Sequence, residues 1–257
     1  MTLSIAWRDS HGFHMASDSR ITVATNSTAD VAIKLLRVPC QIYGPSVSGA
    51  PELRYDHDIA LLFAGSSITS LIVKESLEEV LKLLQAVPGY TRIAFDKIAK
   101  ICFVAYRQIS QQTASTVLAE NAHAEIHLAG HCPERNRIRV FRFSTDRRTN
   151  EHRQTEVLLQ DMGHVLSGSA KELARQQTLN GCSPFAALRH VIDQQLDPAV
   201  GGPIQYGTFE GNRFVIRLLA QLDGTQVRYP RGGLNLNDPA FRNEVDDLFI
   251  SPQLLEA

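Results

Sequence analysis

The order in which strand-like and helix-like segments follow one another constrains the fold of this chain more than any other feature. Alternating apolar segments open the chain, two amphipathic helices follow, and strands and two further helices come next, before a last pair of strands. An α+β chain with strands and helices in separate blocks buries its apolar faces by stacking sheets and covering them with helices. The sequence therefore predicts two stacked sheets between helical layers.

The individual segments follow from hydrophobic periodicity and turn residues. Alternating or β-branched runs predict strands at residues 2–7, 13–17, 31–38, 59–64, 124–129, 137–143, 156–160, 204–209 and 214–219. Apolar residues at helical spacing predict helices at residues 66–84, 91–111, 170–179 and 184–196. Ser183 and Pro184 are typical of the cap and first position of the last helix.

We interpret the 257 residues as one domain, 1–257, with two departures from a regular core. Residues 39–58 contain several Pro and Gly and predict a long loop insertion, which is a candidate for covering a site or meeting a partner. Residues 224–257 form a C-terminal extension.

Composition excludes some partners. The net charge of −1 indicates neither a nucleic acid nor an acidic membrane surface as partner. The chain has no apolar run of about 18 residues and no basic segment followed by an apolar one at its start. We therefore expect a cytoplasmic protein.

Metal-ligating side chains are present without a metal-binding spacing. The cysteines are scattered and predict reduced, mostly buried thiols rather than a zinc or redox motif: Cys40, Cys102, Cys132 and Cys182. Alternation places four polar residues on one strand face, as metal ligands or as a polar face opposite Ile126 and Leu128: His123, Glu125, His127 and His131. The strand pattern explains them without a metal, so we expect none.

Three residues carry the strongest indication of chemistry: Thr2, Asp18 and Lys34, at equal intervals of 16 residues. Initiator methionine is usually removed before a small residue, which leaves Thr2 with a hydroxyl and a free α-amine. An α-amine with a pKa of about 7.7–8.0 can take the hydroxyl proton. A lysine ammonium stabilises a developing alkoxide, and a carboxylate positions both cations. Each residue alone has an ordinary interpretation as a strand threonine, a turn aspartate and a solvated lysine.

Together with their neighbours, these residues resemble the proteasome β-type threonine peptidases of the N-terminal nucleophile hydrolase superfamily, which include the bacterial heat-shock locus V peptidase and the ancestral β-subunit proteins. Residues 2–6 (TLSIA) are similar to the mature N-terminus of that family, and residues 16–20 (ASDSR) to its A-[AS]-D-[ST]-R box. Lys34 falls at the position of its catalytic lysine. Residues 64–66 (AGS) are similar to the motif whose glycine N–H, here that of Gly65, contributes to the oxyanion hole.

Two later segments resemble the elements that support the active centre of this family. Residues 168–170 (GSA) are similar to its G-S-G element, which implies a supporting role for Ser169, with Ser167 as a competing assignment. Residues 197–202 (DPAVGG) are similar to its D-x-x-S-G-G element, which implies the same for Asp197. Val200 replaces the usual serine and removes one hydroxyl. Residues 39–58 and those after 223 match the family poorly.

The resemblance implies a four-layer αββα fold and a threonine-type endopeptidase that needs removal of Met1 and no cofactor or metal. It also implies positions that line the substrate pocket, mostly apolar ones: Ile21, Thr22, Ala32, Leu36 and Phe63. Apolar lining predicts a preference for a hydrophobic residue on the acyl side of the cut. Because family members enclose their active sites, we expect a homo-oligomeric ring or helical assembly that takes peptides or unfolded proteins and is served by an ATP-dependent unfoldase.

Two other functions stay open. A non-proteolytic N-terminal nucleophile amidohydrolase would use the same Thr2 chemistry on a small amide. A catalytically silent ring or scaffold subunit would keep the fold and bind partners only. The presence of Thr2, Asp18 and Lys34 together favours the peptidase.

Overall fold

The computed structural model describes residues 2–24, 27–45, 51–90, 92–146, 148–157, 163–240, 250–251 and 253–255. In chain order, the strands are β1 (Leu3–Asp9), β2 (Gly12–Ser17), β3 (Ile21–Ala24), β4 (Ser27–Ala29), β5 (Leu35–Tyr43), β6 (Leu53–Gly65), β7 (Leu84–Gln85), β8 (Ala124–Cys132), β9 (Arg137–Thr145), β10 (His152–Glu156), β11 (His164–Gly168), β12 (Gln205–Glu210), β13 (Arg213–Arg217), β14 (Gln221–Asp223), β15 (Gln226–Arg228), β16 (Pro230–Arg231) and β17 (Leu234–Asn235). The helices are α1 (Ser67–Val80), α2 (Phe95–Thr113), α3 (Lys171–Leu179) and α4 (Pro184–Asp193). A π-helical turn (Ala114–Leu118) and a 3-10 turn (Ala119–Ala122) extend α2.

Two sheets stack at the centre of the molecule. The first has the strand order β11-β1-β2-β12-β13, and the second has the order β10-β9-β8-β6-β5-β7. Helices α3 and α4 contact the first sheet, and α1 and α2 contact the second. Each helix pair therefore covers the outer face of one sheet.

Three apolar layers fill the spaces between these four layers. Val73 of α1 and Ile126 of β8 belong to the layer between the second sheet and its helices. Ile5 and Leu188 belong to the corresponding layer of the first sheet, and Met15 lies in the layer between the two sheets. The predicted α+β fold, a four-layer αββα sandwich, is confirmed.

The predicted loop insertion at residues 39–58 is wrong at both ends. Strand β5 continues to Tyr43, and β6 begins at Leu53, so most of this stretch forms an antiparallel hairpin. Pro39 pairs with Asp58 inside it. Proline is tolerated there because the other neighbour of β5 is the short strand β7, which pairs only with Ile42 and Tyr43. Residues 46–50, also part of the predicted loop, lie outside the described residues.

Other element boundaries differ from the prediction because some backbone N–H groups donate to side chains or to distant segments and not to a neighbouring strand. The strand predicted from residue 31 begins at Leu35, since the Ala32 N–H donates to Ser19 O and the Lys34 N–H to the Gln205 side chain. Helix α2 begins at Phe95, and the predicted start at residue 91 lies outside the described residues. The remaining helices keep their predicted places, with α1 and α4 ending three to four residues earlier.

Several strands were displaced or not predicted, among them the short strands β3, β4, β7 and β14 to β17. The strand predicted at 156–160 is observed as β10, His152–Glu156, while residues 158–160 lie outside the described residues. Strand β11, His164–Gly168, was not predicted at all. Among the described residues, no helix combines the length and the apolar character that crossing a membrane requires.

Candidate active site

Asp18 lies at the centre of the site, directly after β2, and its side chain is fully buried. Oδ1 accepts hydrogen bonds from the Leu3 N–H at 3.0 Å and from Lys34 Nζ at 2.8 Å. Oδ2 accepts from the N–H groups of Arg20 at 3.1 Å and Gly201 at 3.2 Å. One carboxylate therefore joins the N-terminal strand, the segment before β5 and the segment before β12.

Lys34 is fully buried as well and donates a second hydrogen bond to the backbone oxygen of Arg20 at 2.6 Å. Burial lowers the pKa of its ammonium below the ordinary value, and Asp18 opposes that shift. Burial likewise raises the pKa of Asp18, against the opposing effect of Lys34. Both shifts reduce the free-energy difference between the charged and the neutral pair, so the Lys34 ammonium gives up its proton more readily than a solvated lysine does.

Thr2 is held against the edge of β11. Its backbone oxygen accepts a hydrogen bond from the Ser169 N–H at 3.0 Å, and Leu3 pairs with Gly168. Gly168 has a φ of +101°, and a Cβ there would lie 1.8 Å from the Thr2 oxygen. Only glycine allows this approach. The strand edge thus positions Thr2 directly, and Asp18 positions it through Leu3.

Ser169 and Asp197 form a second connection to the same centre. Ser169 Oγ donates to Asp197 Oδ2 at 2.9 Å, and the Ser169 N–H contacts Thr2 as described. A few residues after Asp197, the Gly201 N–H donates to Asp18. The segment from Asp197 to Gly201 therefore bridges Ser169 to the central carboxylate.

Val200 occupies the position where the sequence comparison led us to expect a serine. Its side chain is 1% exposed and packs in the layer between the first sheet and helices α3 and α4. Its N–H donates to Asp197 O at 3.0 Å. The turn keeps its backbone hydrogen bond, and the side chain adds to the core.

Ser167 points to a different set of partners between the two sheets. Its Oγ donates to Glu125 Oε1 at 2.5 Å and lies 3.2 Å from His127 Nε2. Arg142 Nε forms an ion pair with Glu125 Oε1 at 2.6 Å, without hydrogen-bond geometry. The structure thus places Ser169, and not Ser167, against Thr2 and Asp197. No group of three or more His, Cys, Asp or Glu side chains within the described ranges is arranged to hold a metal.

Gly65 ends β6 and precedes α1. Its φ is +101°, and a Cβ there would lie 2.5 Å from His123 O, so the turn requires glycine. Ser66 caps the helix, because its Oγ accepts from the Thr69 N–H at 3.3 Å. Gly65 therefore lies just before α1, next to the N–H groups of the first helical turn, which have no hydrogen-bond partner within the helix.

The residues predicted to line a substrate pocket divide into two groups. Leu36 and Phe63 are buried in the layer beneath α1 and α2. Ile21 and Ala32 are partly accessible, and Thr22 is exposed on β3, which pairs with β4 in a short hairpin. Only the second group is open to a ligand in this chain.

Gln205, the first residue of β12, was missed by sequence reasoning. Its Oε1 accepts from the N–H groups of Lys34 at 2.9 Å and Leu35 at 3.2 Å. Its Nε2 donates to the backbone oxygens of Ala32 at 2.7 Å and Asp18 at 3.4 Å. Nothing in the pattern around residue 205 indicates this role, because the partners lie about 170 residues earlier.

Comparison with known proteins gives structural matches alone. No known family profile and no curated protein sequence matches the chain. A Gly-1 mutant of Anbu from Hyphomicrobium sp. strain MC1 is similar with a TM-score of 0.59 and 16% identity, over 95% of this chain and 91% of that one. Anbu, the ancestral β-subunit, from Yersinia bercovieri has a TM-score of 0.59 and 14% identity, over 84% and 86%.

The Anbu complex from Pseudomonas aeruginosa, described as a helical assembly, is similar with a TM-score of 0.55 and 14% identity, over 88% of each chain. Identities of this size establish the fold and nothing finer. The chain therefore has the fold of the ancestral β-subunit proteins, the αββα sandwich of N-terminal nucleophile hydrolases.

Proposed function

We propose that this protein is a cytoplasmic threonine-type endopeptidase whose nucleophile is Thr2 after removal of Met1. The observation that carries the proposal is the buried Asp18 carboxylate, which accepts hydrogen bonds from the Leu3 N–H and from Lys34 Nζ. This carboxylate links Leu3, the residue after Thr2, to Lys34, a lysine with a lowered pKa. A buried ion pair of this kind is costly to maintain for stability alone.

In the proposed reaction, the Thr2 hydroxyl oxygen attacks the carbonyl carbon of the scissile peptide bond. The hydroxyl proton passes to the α-amine of Thr2 and then to the leaving amine, so the peptide C–N bond breaks as an ester to Thr2 forms. A water molecule then attacks the ester, loses its proton to the same amine, and the proton returns to Thr2 Oγ. The Lys34 ammonium stabilises the negative charge that develops on Thr2 Oγ.

The other members of the site would support these steps. The Gly65 N–H, at the start of α1, is the proposed donor to the tetrahedral oxyanion. Ser169, held by Asp197, is the proposed hydrogen-bond partner of the Thr2 amine. Ile21, Thr22 and Ala32 are the accessible candidates for contact with the substrate side chain before the cut.

The decisive experiment labels the purified protein with a β-lactone probe, which acylates N-terminal nucleophiles, and locates the adduct by mass spectrometry. We expect one adduct on Thr2, and loss of labelling and of peptide hydrolysis by about a thousandfold or more in Thr2→Ala. Thr2→Ser should keep measurable labelling, because it retains a hydroxyl. Thr28→Ala, which changes an exposed threonine of β4, is the matched control and should label normally.

The outcomes separate the candidate functions. Protein that has lost Met1 but does not label at Thr2 contradicts every enzyme proposal and supports a silent ring subunit. Labelling at Thr2 without cleavage of any member of a peptide library supports an amidohydrolase instead. Quantitative retention of Met1 in isolated active protein contradicts the mechanism itself, since the α-amine would be blocked.

We further propose that the chain assembles into a homo-oligomeric ring or helix that confines its active sites, and that an ATP-dependent unfoldase supplies its protein substrates. Support comes from the exposed face of α1. Ile68, Leu71 and Ile72 are 54%, 44% and 41% exposed there. Apolar side chains grouped on one solvent-facing helix surface are typical of a subunit contact.

A further inference from the structure

The C-terminal extension forms part of the wall of a partly open cavity beside Asp30 and Gln205. Its volume is about 270 Å³, slightly below the range of about 300–1,000 Å³ that is usual for small-molecule sites. The wall combines apolar and polar side chains, among them Ser19, Asp30, Val31, Pro203, Arg231 and Leu234.

The hairpin of β16 and β17 forms part of the wall of this cavity. Its two-residue turn, Gly232 and Gly233, has φ values of +56° and +82°, which suit a tight turn that joins twisted strands. A Cβ on Gly232 would lie 2.7 Å from Ile33, and one on Gly233 would lie 3.0 Å from Val31. The turn therefore packs closely on the segment before β5, and this contact carries Arg231 inward.

Arg231 is a largely buried cation with neutral partners. Its Nη2 donates to Leu35 O at 2.8 Å, and its Nη1 to Gln205 Oε1 at 3.3 Å. No carboxylate of the described residues pairs with it. Burial lowers its pKa to about 10, so the guanidinium keeps its charge at neutral pH. A buried charge without a counter-charge is destabilising, and an anion placed beside it would recover that free energy.

Ser19 has an unpaired polar group in the same wall. Its Oγ is buried and has no hydrogen-bond partner among the described residues, and the residue is 3% exposed. Asp30, the acidic residue of the wall, is already bound by Arg20, with Nε–Oδ1 at 2.7 Å and Nη2–Oδ2 at 2.9 Å. The cavity thus offers a cation, with the unpaired Ser19 hydroxyl buried in its wall, while its own carboxylate is neutralised.

We propose that this cavity binds a small monocarboxylate with an apolar body. The carboxylate would take hydrogen bonds from Arg231 and, once the Ser19 side chain turns toward the cavity, from Ser19 Oγ, since a guanidinium binds carboxylates in charge-assisted pairs. The apolar body would pack on Val31, Pro203 and Leu234. Phosphate fits less well, because the apolar side chains of Val31, Pro203 and Leu234 give its further oxygens no hydrogen-bond donors.

The test measures binding of benzoate by isothermal titration calorimetry, with benzamide as a neutral ligand of the same shape and at constant ionic strength. We expect benzoate to bind and to raise the melting temperature, and benzamide to do neither. Arg231→Gln should weaken benzoate binding by about tenfold or more. Ser19→Ala should weaken it by about three- to tenfold, and it removes an unpaired buried hydroxyl, so the variant should fold.

The control is Arg153→Gln, which changes an exposed arginine paired with Glu151 and should bind benzoate as the unchanged protein does. Equal binding of benzoate and benzamide, or undiminished benzoate binding in both Arg231→Gln and Ser19→Ala, overturns the proposal. Phosphate that binds more tightly than benzoate through Arg231 overturns the monocarboxylate class. Because Thr2 takes no part, Thr2→Ala should bind benzoate normally, which separates this result from the fate of the peptidase proposal.

Discussion

At the scale of single residues, Glu125 shows how a charged side chain can stabilise the contact between the two sheets. Burial alone would raise the pKa of Glu125, but His127, Ser167 and Arg142 outweigh burial and lower it to about 2. An unfolded glutamate has a pKa of about 4.3. A pKa lowered in the folded state adds stability that is fully present above the unfolded value and is lost as the pH falls towards the folded value.

We therefore predict that Glu125 contributes about 2–3 kcal/mol to the free energy of unfolding at neutral pH, and that this contribution disappears between about pH 4.5 and pH 2. Urea denaturation of the unchanged protein and Glu125→Gln across this range checks it. The two free energies should differ at pH 7 and converge at pH 2. Glu151→Gln, with a side chain 58% exposed, is the control, and parallel curves for Glu125→Gln would contradict the prediction.

Single residues also show the limit of sequence reasoning. The equal spacing of Thr2, Asp18 and Lys34 predicted a cluster, and the structure brings Asp18 and Lys34 into contact, with Leu3 beside them. Gln205 and the partners of Ser167 were not predictable. They lie on other strands, and only the stacking and register of the sheets bring them together.

At the scale of elements, the pairing of β1 with β11 determines where the chain terminus lies. Gly168 is the last residue of β11, and its positive φ turns the chain so that the Ser169 N–H reaches Thr2 O. A side chain at this position would meet the Thr2 backbone at 1.8 Å. The backbone of β11 thus positions Thr2 more directly than any side chain of that strand.

We predict that Gly168→Ala lowers the free energy of unfolding by about 3 kcal/mol or more, since strain at positive φ and a backbone clash add together, and that it abolishes labelling of Thr2. Gly181→Ala is the matched control. Gly181 has a φ of +91° with nothing within 4 Å of its Cβ position, so only the strain of about 1–2 kcal/mol should appear. Equal losses in the two variants, measured by chemical denaturation, would show that the close approach is unimportant.

Elements with strong periodicity were predictable, and those governed by pairing were not. All four helices were predicted because their apolar residues recur at helical spacing. Strand β11 was missed because the residues before it show no alternation of apolar and polar side chains. Its stability comes from pairing with β1, which the local sequence does not reveal. The hairpin of β5 and β6 was read as a loop because Pro39 and nearby glycines are typical of turns, whereas pairing with β6 outweighs that local preference.

At the scale of the whole molecule, the exposed apolar face of α1 is the surface on which the proposed assembly depends. We predict that the double variant Leu71→Asp and Ile72→Asp lowers the sedimentation coefficient from that of an oligomer to that of a monomer, because charges oppose burial of this face. Leu179→Asp, at a position 79% exposed at the end of α3, should leave assembly unchanged. A monomeric unchanged protein would contradict assembly altogether, and an unaltered double variant would contradict the role of α1.

The side-chain amide of Gln205 has a consequence for how the central pair responds to its surroundings. The amide accepts from Lys34 and Leu35 and donates to Ala32 and Asp18, and turning it over would oppose like groups at every contact. The two backbone segments that carry Asp18 and Lys34 are therefore held in register by an uncharged group. Salt screens charge pairs at the surface over about 8–10 Å, but it does not weaken the hydrogen bonds of a buried amide. The spacing of Asp18 and Lys34 should therefore be the same at low and at high ionic strength.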